Sequence, residues 1–462
     1  MKPRTIIRNN RGAYVDAVEE TMTATELMDK IINAAWRNGE PGVLFPDAAN
    51  RTNPVPELGR LEATNPCGEQ WLHDGDVCNL GSINLAKFVK DGKIDEDRLR
   101  EVTALSTRLL DNVIDLSDFP VEKVNAAFRN NRRIGLGIMG FADMLYQLRI
   151  PYNSTEGCEL AERVMGIVND QSHKTSTEIA EEKGNFPNHH LSIFNEKKQN
   201  IKRRNAALTT VAPTGSISML LDCSSGVEPF FALAYYKEVM SGQKLIYVNP
   251  YLKAELERLG LNKDSIIQEI EKTGTCQHIA EIPKETRDVF VTAMDISADD
   301  HIHMQAAFQK QVDNSISKTI NFNNDATRED VKNGYILAWK SGLKGCTVYR
   351  DGSRQEQVLN LHSEAKTEEK VAAPAPVAQV KSVPTEVAAP KLNFEEVTPP
   401  PVAEVREHGT VSHGGPAKAP VAVSFNKKDV IKNKTCPECS SKIQVAEGCM
   451  LCLSCGFSAC SV

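Results

Sequence analysis

Apolar residues in this chain repeat with a helical period in some stretches and bunch into short runs in others. In residues 25–37 (TELMDKIINAAWR), Leu27, Met28, Ile31, Ile32 and Ala35 fall on one face, and Thr25 stands where a cap would. Similar reasoning predicts helices over residues 156–169 and 301–319. Short apolar runs at residues 83–89 (INLAKFV) and 207–212 (ALTTVA) predict buried strands instead. Alternation of the two kinds predicts an α/β domain over residues 1–360. Beyond it both periods vanish. Residues 361–430 are dominated by Ala, Pro, Val, Glu and Lys, and such a segment buries too little apolar surface to offset its ordering entropy. It is expected to be a flexible linker. Residues 431–462 form a short cysteine-rich tail.

Composition narrows the functional classes. Of 462 residues, 41% are apolar and 25% charged, as in soluble globular proteins. The net charge of -7 carries no concentrated basic block, which argues against a nucleic-acid or anionic-membrane partner. No apolar run approaches the roughly 20 residues of a membrane span. The N-terminus begins with basic residues but lacks the apolar core of a signal peptide. Twelve cysteines without a secretion signal therefore point to a reducing compartment, the cytoplasm.

Six of those cysteines lie in the tail. Cys436-Pro-Glu-Cys439 and Cys452-Leu-Ser-Cys455 are two knuckles with the spacing of a tetrahedral Zn²⁺ site, which leaves Cys449 and Cys460 over. A second register puts Cys436, Cys439, Cys449 and Cys452 on zinc and leaves Cys455 and Cys460 as the pair. Either way a dithiol is spare, and on a long tether it reads as a redox arm. A poorly filled zinc site is the alternative.

The strongest chemical signal is Asn65-Pro66-Cys67-Gly68-Glu69. It sets an amide, a thiol and a carboxylate at i, i+2 and i+4, so in an extended loop tip the three can point the same way. The carboxylate can act as base, the amide can hold a hydroxyl, and the thiol can serve as nucleophile or hydrogen-atom donor. Further strings follow: Cys78-Asn-Leu-Gly-Ser-Ile-Asn-Leu85, Arg203 to Ser218 (RRNAALTTVAPTGSIS), Asp222 to Phe231 (DCSSGVEPFF), Asp313 to Asn321 and Thr347 to Arg354. Together they resemble the active-site region of class II, adenosylcobalamin-dependent ribonucleotide reductases.

The resemblance implies the C-terminal part of a ten-stranded α/β barrel with a radical-bearing finger loop. It implies that Cys67 becomes the thiyl radical, Glu69 deprotonates the 3′-hydroxyl and Asn65 holds the ribose hydroxyls. Cys78 would be one member of the dithiol that reduces the intermediate. The tail would reduce the resulting disulfide by exchange and be recharged by a thioredoxin- or glutaredoxin-type reductant. Pro213, Thr214, Gly215, Ser216, Ile217 and Ser218 would bind the substrate phosphate, where small residues and hydroxyls open a helix.

Adenosylcobalamin is the implied cofactor. The stretch Thr347-Val348-Tyr349 has one tyrosine where iron-dependent relatives have a pair, and the tail has cysteines where anaerobic relatives have a glycyl-radical segment. Gly135-x-Gly137-x-x-Gly140 mimics a dinucleotide fingerprint, but its place in the same family implies helix packing. The fit to the family starts part-way along it. A further N-terminal portion, from a longer chain or a separate one, is expected to supply the first barrel strands and the partner of Cys78. A homodimer is possible, and a catalytically dead relative acting as a zinc-ribbon nucleotide-binding module is the competing reading.

Overall fold

The computed structural model describes residues 22–238 and 244–353, together with the backbone of three short strands further on. Contacts divide the chain into Met1–Val371 and Ala372–Val462. The expected boundaries at 360/361 and 430/431 lie outside the described residues.

The first unit opens with α1 (Ala24–Asn38), β1 (Val43–Leu44), α2 (Pro46–Arg51), β2 (Ala63–Thr64), β3 (Trp71–Leu72) and β4 (Asn79–Asn84). A small hairpin of β5 (Val89–Lys90) and β6 (Lys93–Ile94) leads to α3 (Glu96–Leu116), α4 (Glu122–Asn131), β7 (Ile134–Met139), α5 (Phe141–Leu148) and α6 (Thr155–Lys183). Then come α7 (Gly215–Leu220), the hairpin β8 (Ala234–Glu238) and β9 (Lys244–Val248), and α8 (Pro250–Arg258), α9 (Asp264–Thr273) and α10 (Lys284–Val289). The unit ends with α11 (Ala298–Gln309), β10 (Thr319–Phe322), α12 (Arg328–Lys340) and β11 (Gly345–Arg350).

The central strands make an open parallel row. β4 pairs with β7 from Asn79↔Ile134 to Asn84↔Met139. β7 meets residues 207–211, with Ile134 N–H donating to Ala207 O (3.0 Å) and Leu136 N–H to Leu208 O (2.8 Å). Val211 in turn bridges to Ile316, the approach to β10, and β10 pairs with β11 from Thr319↔Thr347 to Phe322↔Arg350. β1 closes that side antiparallel, with Val43 opposite Cys346. Each parallel step needs a crossover, and helices supply it: α3 and α4 between β4 and β7, α12 between β10 and β11. Coverage on both faces explains why all six residues of β7 are buried. Among the described residues the row does not close into a barrel. The α/β class is as expected.

Several local expectations change. The cap of α1 is Thr23, not Thr25: its hydroxyl accepts from Glu26 N–H while Glu26 reaches back to Thr23 N–H. The helix predicted from residue 156 extends to Lys183. The helix predicted over 301–319 ends at Gln309, because residues 313–317 are taken by the strand row. The run 83–89 splits into the end of β4, a 3₁₀ turn at Leu85–Lys87 and the start of β5. Gly135, Gly137 and Gly140 do not serve helix packing. The first two lie in β7 and the third turns the chain into α5. A Cβ on Gly137 would stand 2.2 Å from Thr210 O, so only glycine lets β7 and residues 209–211 meet.

The main core packs β7, α5 and α6 around Ile138, Phe141, Met144, Val164 and Phe308. The start of β7 is tied down by buried ion pairs, Arg132–Asp111 at 2.8 Å and Arg133–Asp76 at 2.6 Å. Among the described residues no helix is long and apolar enough to cross a membrane. In the second unit, β12 (Gln444–Ala446), β13 (Cys449–Leu451) and β14 (Ser458–Cys460) form an antiparallel sheet in which Cys449 and Cys460 are register partners.

Candidate active site

β2 and β3 pair with Thr64 opposite Trp71, so residues 65–70 form the loop between them. Asn65 N–H donates to Gln70 O (3.2 Å), Gly68 N–H to Asn65 O (3.1 Å) and Gln70 N–H to Asn65 Oδ1 (3.0 Å). The carbonyl of the Asn65 side chain is thereby committed to the loop, and its amide remains a donor. Gly68 sits at φ +83°, a left-handed position that closes the turn without a Cβ penalty.

The outgoing arm is anchored in the strand row. Asn314 Nδ2 donates to Gln70 Oε1 (2.7 Å), and Trp71 N–H donates to Asn314 Oδ1 (2.8 Å). The Thr210 hydroxyl (2.7 Å) and Ser315 N–H (3.0 Å) both donate to Glu69 O.

This anchoring decides where the three candidate side chains go. Cys67 is exposed and lines a cavity of about 180 Å³ with Leu44, Lys318, Gly345, Cys346 and Thr347. Glu69 is drawn inward, 2% exposed, and its Oε2 has no hydrogen-bond partner among the described residues. Asn65 and Glu69 do not line the cavity of Cys67, so the simple picture of three side chains pointing one way is modified. They remain coupled by charge. Partial burial and then the Glu69 carboxylate push the Cys67 thiol up, which disfavours the thiolate.

Cys78 stands just before β4, and its thiol donates to Asn79 O (3.3 Å). Burial pushes it far up; Arg133 opposes this, while Asp76 and Glu69 reinforce it. Glu69 thus bears on both cysteines.

Cavities follow one another along β11. Residues 345–347 line the Cys67 cavity, and residues 347–349 line a larger one of about 590 Å³. Its walls include Cys223, Phe230, Phe231, Tyr235 and Tyr247, with Tyr247 OH donating to Asp222 Oδ1 (3.0 Å). Between the cavities lies a buried ion pair that the sequence did not disclose. Lys318 Nζ donates to Glu228 Oε2 (2.5 Å) and His301 Nδ1 (2.9 Å), while Thr319 N–H donates to Glu228 Oε1 (2.6 Å). Both residues fall in strings quoted for the resemblance, but nothing in those strings marks a lysine as buried.

The segment 213–218 turns at Thr214 (φ +56°) and opens the six-residue α7. Thr214 makes no side-chain cap there; its hydroxyl accepts from Gly226 N–H (2.8 Å) instead. Gly215, Ser216 and Ile217 are exposed, and Ser218, bonded to Ser225 Oγ (2.8 Å), lines the large cavity. The zinc candidates Cys436, Cys439, Cys452 and Cys455 lie outside the described residues. For Cys449 and Cys460 only the strand register is described.

The loop thus presents an exposed thiol at the tip of an anchored hairpin and, drawn inward, a buried carboxylate with a bare oxygen. The family profile of the ribonucleotide reductase barrel domain matches residues 7–349. The chain belongs to that family. It is 48% identical over 354 residues to a vitamin B12-dependent ribonucleoside-diphosphate reductase of Thermoplasma acidophilum, covering 75% of this chain and 46% of the relative. A protein of the same description from Mycobacterium tuberculosis is 45% identical over 73% of this chain and 48% of its own. The chain therefore spans about half the length of the curated relatives it matches. Among solved structures, the Actinobacillus ureae class Id ribonucleotide reductase alpha subunit superposes with a TM-score of 0.62 at 26% identity, covering 71% of this chain and 61% of that one.

Proposed function

We propose that this chain carries the radical-bearing part of an adenosylcobalamin-dependent ribonucleotide reductase. The enzyme would convert ribonucleoside diphosphates to 2′-deoxyribonucleotides in the cytoplasm, supplying DNA precursors. The observation that carries the reading is the exposed thiol of Cys67 at the tip of an anchored loop that also carries buried Glu69 with its unpartnered Oε2. As a thiyl radical, Cys67 takes the 3′ hydrogen atom of the ribose. Glu69 Oε2 accepts the 3′-hydroxyl proton, and the Asn65 amide, restrained through Oδ1, donates to a ribose hydroxyl. Cys78 supplies one of the two thiols that reduce the intermediate. The segment Pro213 to Ser218 holds the phosphates with backbone N–H groups at Gly215 and Ser216.

The cavity of about 590 Å³ suits part of a bulky cofactor: its aromatic walls and the shared Thr347 place apolar surface directly beside the space of Cys67. Bound there, adenosylcobalamin would supply the one-electron chemistry that the Cys67 thiol needs. The residues around it exclude water and fix orientation. In the tail, the pairing of Cys449 with Cys460 supports reading them as the redox dithiol, recharged by a thioredoxin-type protein, with Cys436, Cys439, Cys452 and Cys455 on zinc.

The test combines the chain, a polypeptide covering the half of its relatives that it does not span, adenosylcobalamin and a ribonucleoside diphosphate. A coupled cob(II)alamin–thiyl radical signal and deoxynucleotide product are expected. Both should vanish in Cys67→Ser. Product formation by Cys67→Ser would overturn the proposal.

A further inference from the structure

A third cavity, of about 440 Å³, shares no lining residue with the two already described. It lies at the N-terminal ends of the parallel strands. Arg133 immediately precedes β7, Ala206 and Ala207 lead into residues 207–211, Asp313 and Asn314 precede the bridge at Ile316, and Lys344 precedes β11.

Its charge is one-sided. Arg51, Arg133, Arg203, Lys310 and Lys344 line it against a single carboxylate, Asp313. Two of the cations are matched outside it, Arg133 by Asp76 (2.6 Å) and Lys310 by Glu162 (2.8 Å). The Asp313 carboxylate is itself taken, by His173 Nε2 (2.8 Å) and by Leu208 N–H (3.0 Å). Lys344, Arg203 and Arg51 are left without a dedicated counterion among the described residues.

Lys344 and Arg203 are not simply solvated surface groups, whereas Arg51 stands exposed at the rim. Lys344 is 5% exposed, and its ammonium donates to the backbone oxygen of Asp313 (2.6 Å) rather than to a carboxylate. Burial brings its pKa down to about 8; Asp313 opposes that fall, and the like charge of Arg51 adds to it. Arg203 gives its Nη1 to the Thr177 hydroxyl and to His173 O (3.2 Å), yet its Nε is buried without a partner, as is Nδ1 of His173. Water can satisfy a hydrogen bond, but it does not neutralise clustered cations in a recess, and burying unpaired charge is costly. An anion answers both needs at once, with arginine forks suited to phosphate oxygens.

The remaining wall is mixed: Leu61, Trp71 and Phe194 supply apolar surface that suits a ring or carbon skeleton behind the anionic group, and Thr52, Asn169, Gln199, Gln311 and Asn314 supply amides and a hydroxyl. From this we infer that the cavity is a binding site for a small organic phosphate, with Arg51, Arg203 and Lys344 on the phosphoryl group and the Trp71–Phe194 side on the organic part. The inference does not depend on the reaction proposed above, because the two sites share no residue.

Calorimetric titration of the chain tests it, with adenosine 5′-monophosphate and inorganic phosphate as probes. The expected result is saturable binding of the monophosphate, displaced by inorganic phosphate and tighter than it. Arg51→Gln and Arg203→Gln should each weaken binding by about tenfold or more, as loss of a charge-assisted contact does. Arg51 is exposed, so Arg51→Gln should leave the thermal midpoint unchanged and exclude misfolding as the cause. Ser216→Asp, which puts a negative charge on the 213–218 segment, should leave this binding intact. Absence of saturable binding, monophosphate no tighter than phosphate, or a loss that follows Ser216→Asp and neither arginine variant would each overturn the assignment.

Discussion

Removing Glu228 should damage this protein more than removing its partner Lys318, and the asymmetry follows from where each charge sits. The Lys318 side chain is wholly enclosed, whereas Glu228 keeps 24% of its side chain exposed. Glu228→Gln preserves volume but strips the ammonium of its carboxylate partner, leaving the new amide oxygen, His301 Nδ1 and Thr319 O as neutral acceptors. His301 cannot compensate by titrating, since burial and the Lys318 charge hold its pKa far below the usual range. Breaking a buried pair in this way costs about 3–5 kcal/mol. Lys318→Met removes the buried charge itself. The remaining carboxylate is reached by water and still accepts from Thr319 N–H, so the loss should stay below about 2 kcal/mol. With a urea dependence of about 3 kcal/mol per molar, Glu228→Gln should lower the unfolding midpoint by about 1–1.7 M, and Lys318→Met by less than about 0.7 M. The double variant should resemble Lys318→Met alone, because the second change has no buried charge left to strand. Circular dichroism in urea reads all three. Equal midpoints for the single variants, or additive losses in the double, would refute the reasoning.

Three further outcomes follow from the structure. Cys67 should be alkylated slowly by iodoacetamide at neutral pH and faster as pH rises, and Glu69→Gln should accelerate it by withdrawing the carboxylate that holds the thiol up; an unchanged rate in that variant would contradict the coupling. Glu255, bonded to Arg258 (2.8 Å) and paired with Arg149 (2.8 Å), has its pKa lowered to about 2, first by the Arg258 contact. The unfolded carboxyl titrates near about 4.3, so the Glu255 contribution is complete above that pH and is lost as pH falls toward 2. Melting curves of Glu255→Gln should therefore lack part of the wild-type acid sensitivity in that window. Gly137→Ala drives a Cβ into Thr210 O and should cost about 3 kcal/mol or more, seen as a collapsed melting midpoint, while Gly215→Ala, facing open space, should change it little.

The sequence by itself determined which reactive residue types stand in the Asn65–Cys67–Glu69 loop and the α/β character of the domain. Both are written locally: reactive residue types at fixed spacing, and apolar periods of 3.6 or of short runs. The cap of α1 lies two residues before the expected Thr25, because the Glu26 side chain folds back on Thr23 and closes a capping box there. The end of α11 was missed because residues 313–317 continue an acceptable helical pattern, and only hydrogen bonds to residues 209–211 and to Glu69 draw them into the strand row. Likewise, the glycines of 135–140 mimic a dinucleotide fingerprint and imply helix packing in the sequence, whereas the close approach of Thr210 O to Gly137, 2.2 Å from where a Cβ would stand, puts them in a strand contact.

Tertiary structure alone decided what is buried and what faces what. It turned Glu69 inward and Cys67 into a cavity, put Lys318 against Glu228 across 90 residues of sequence, and gathered Arg51, Arg203 and Lys344 around one recess. The physical reason is that ionisable groups are tuned by desolvation and by neighbouring charge, and both depend on residues distant in the chain.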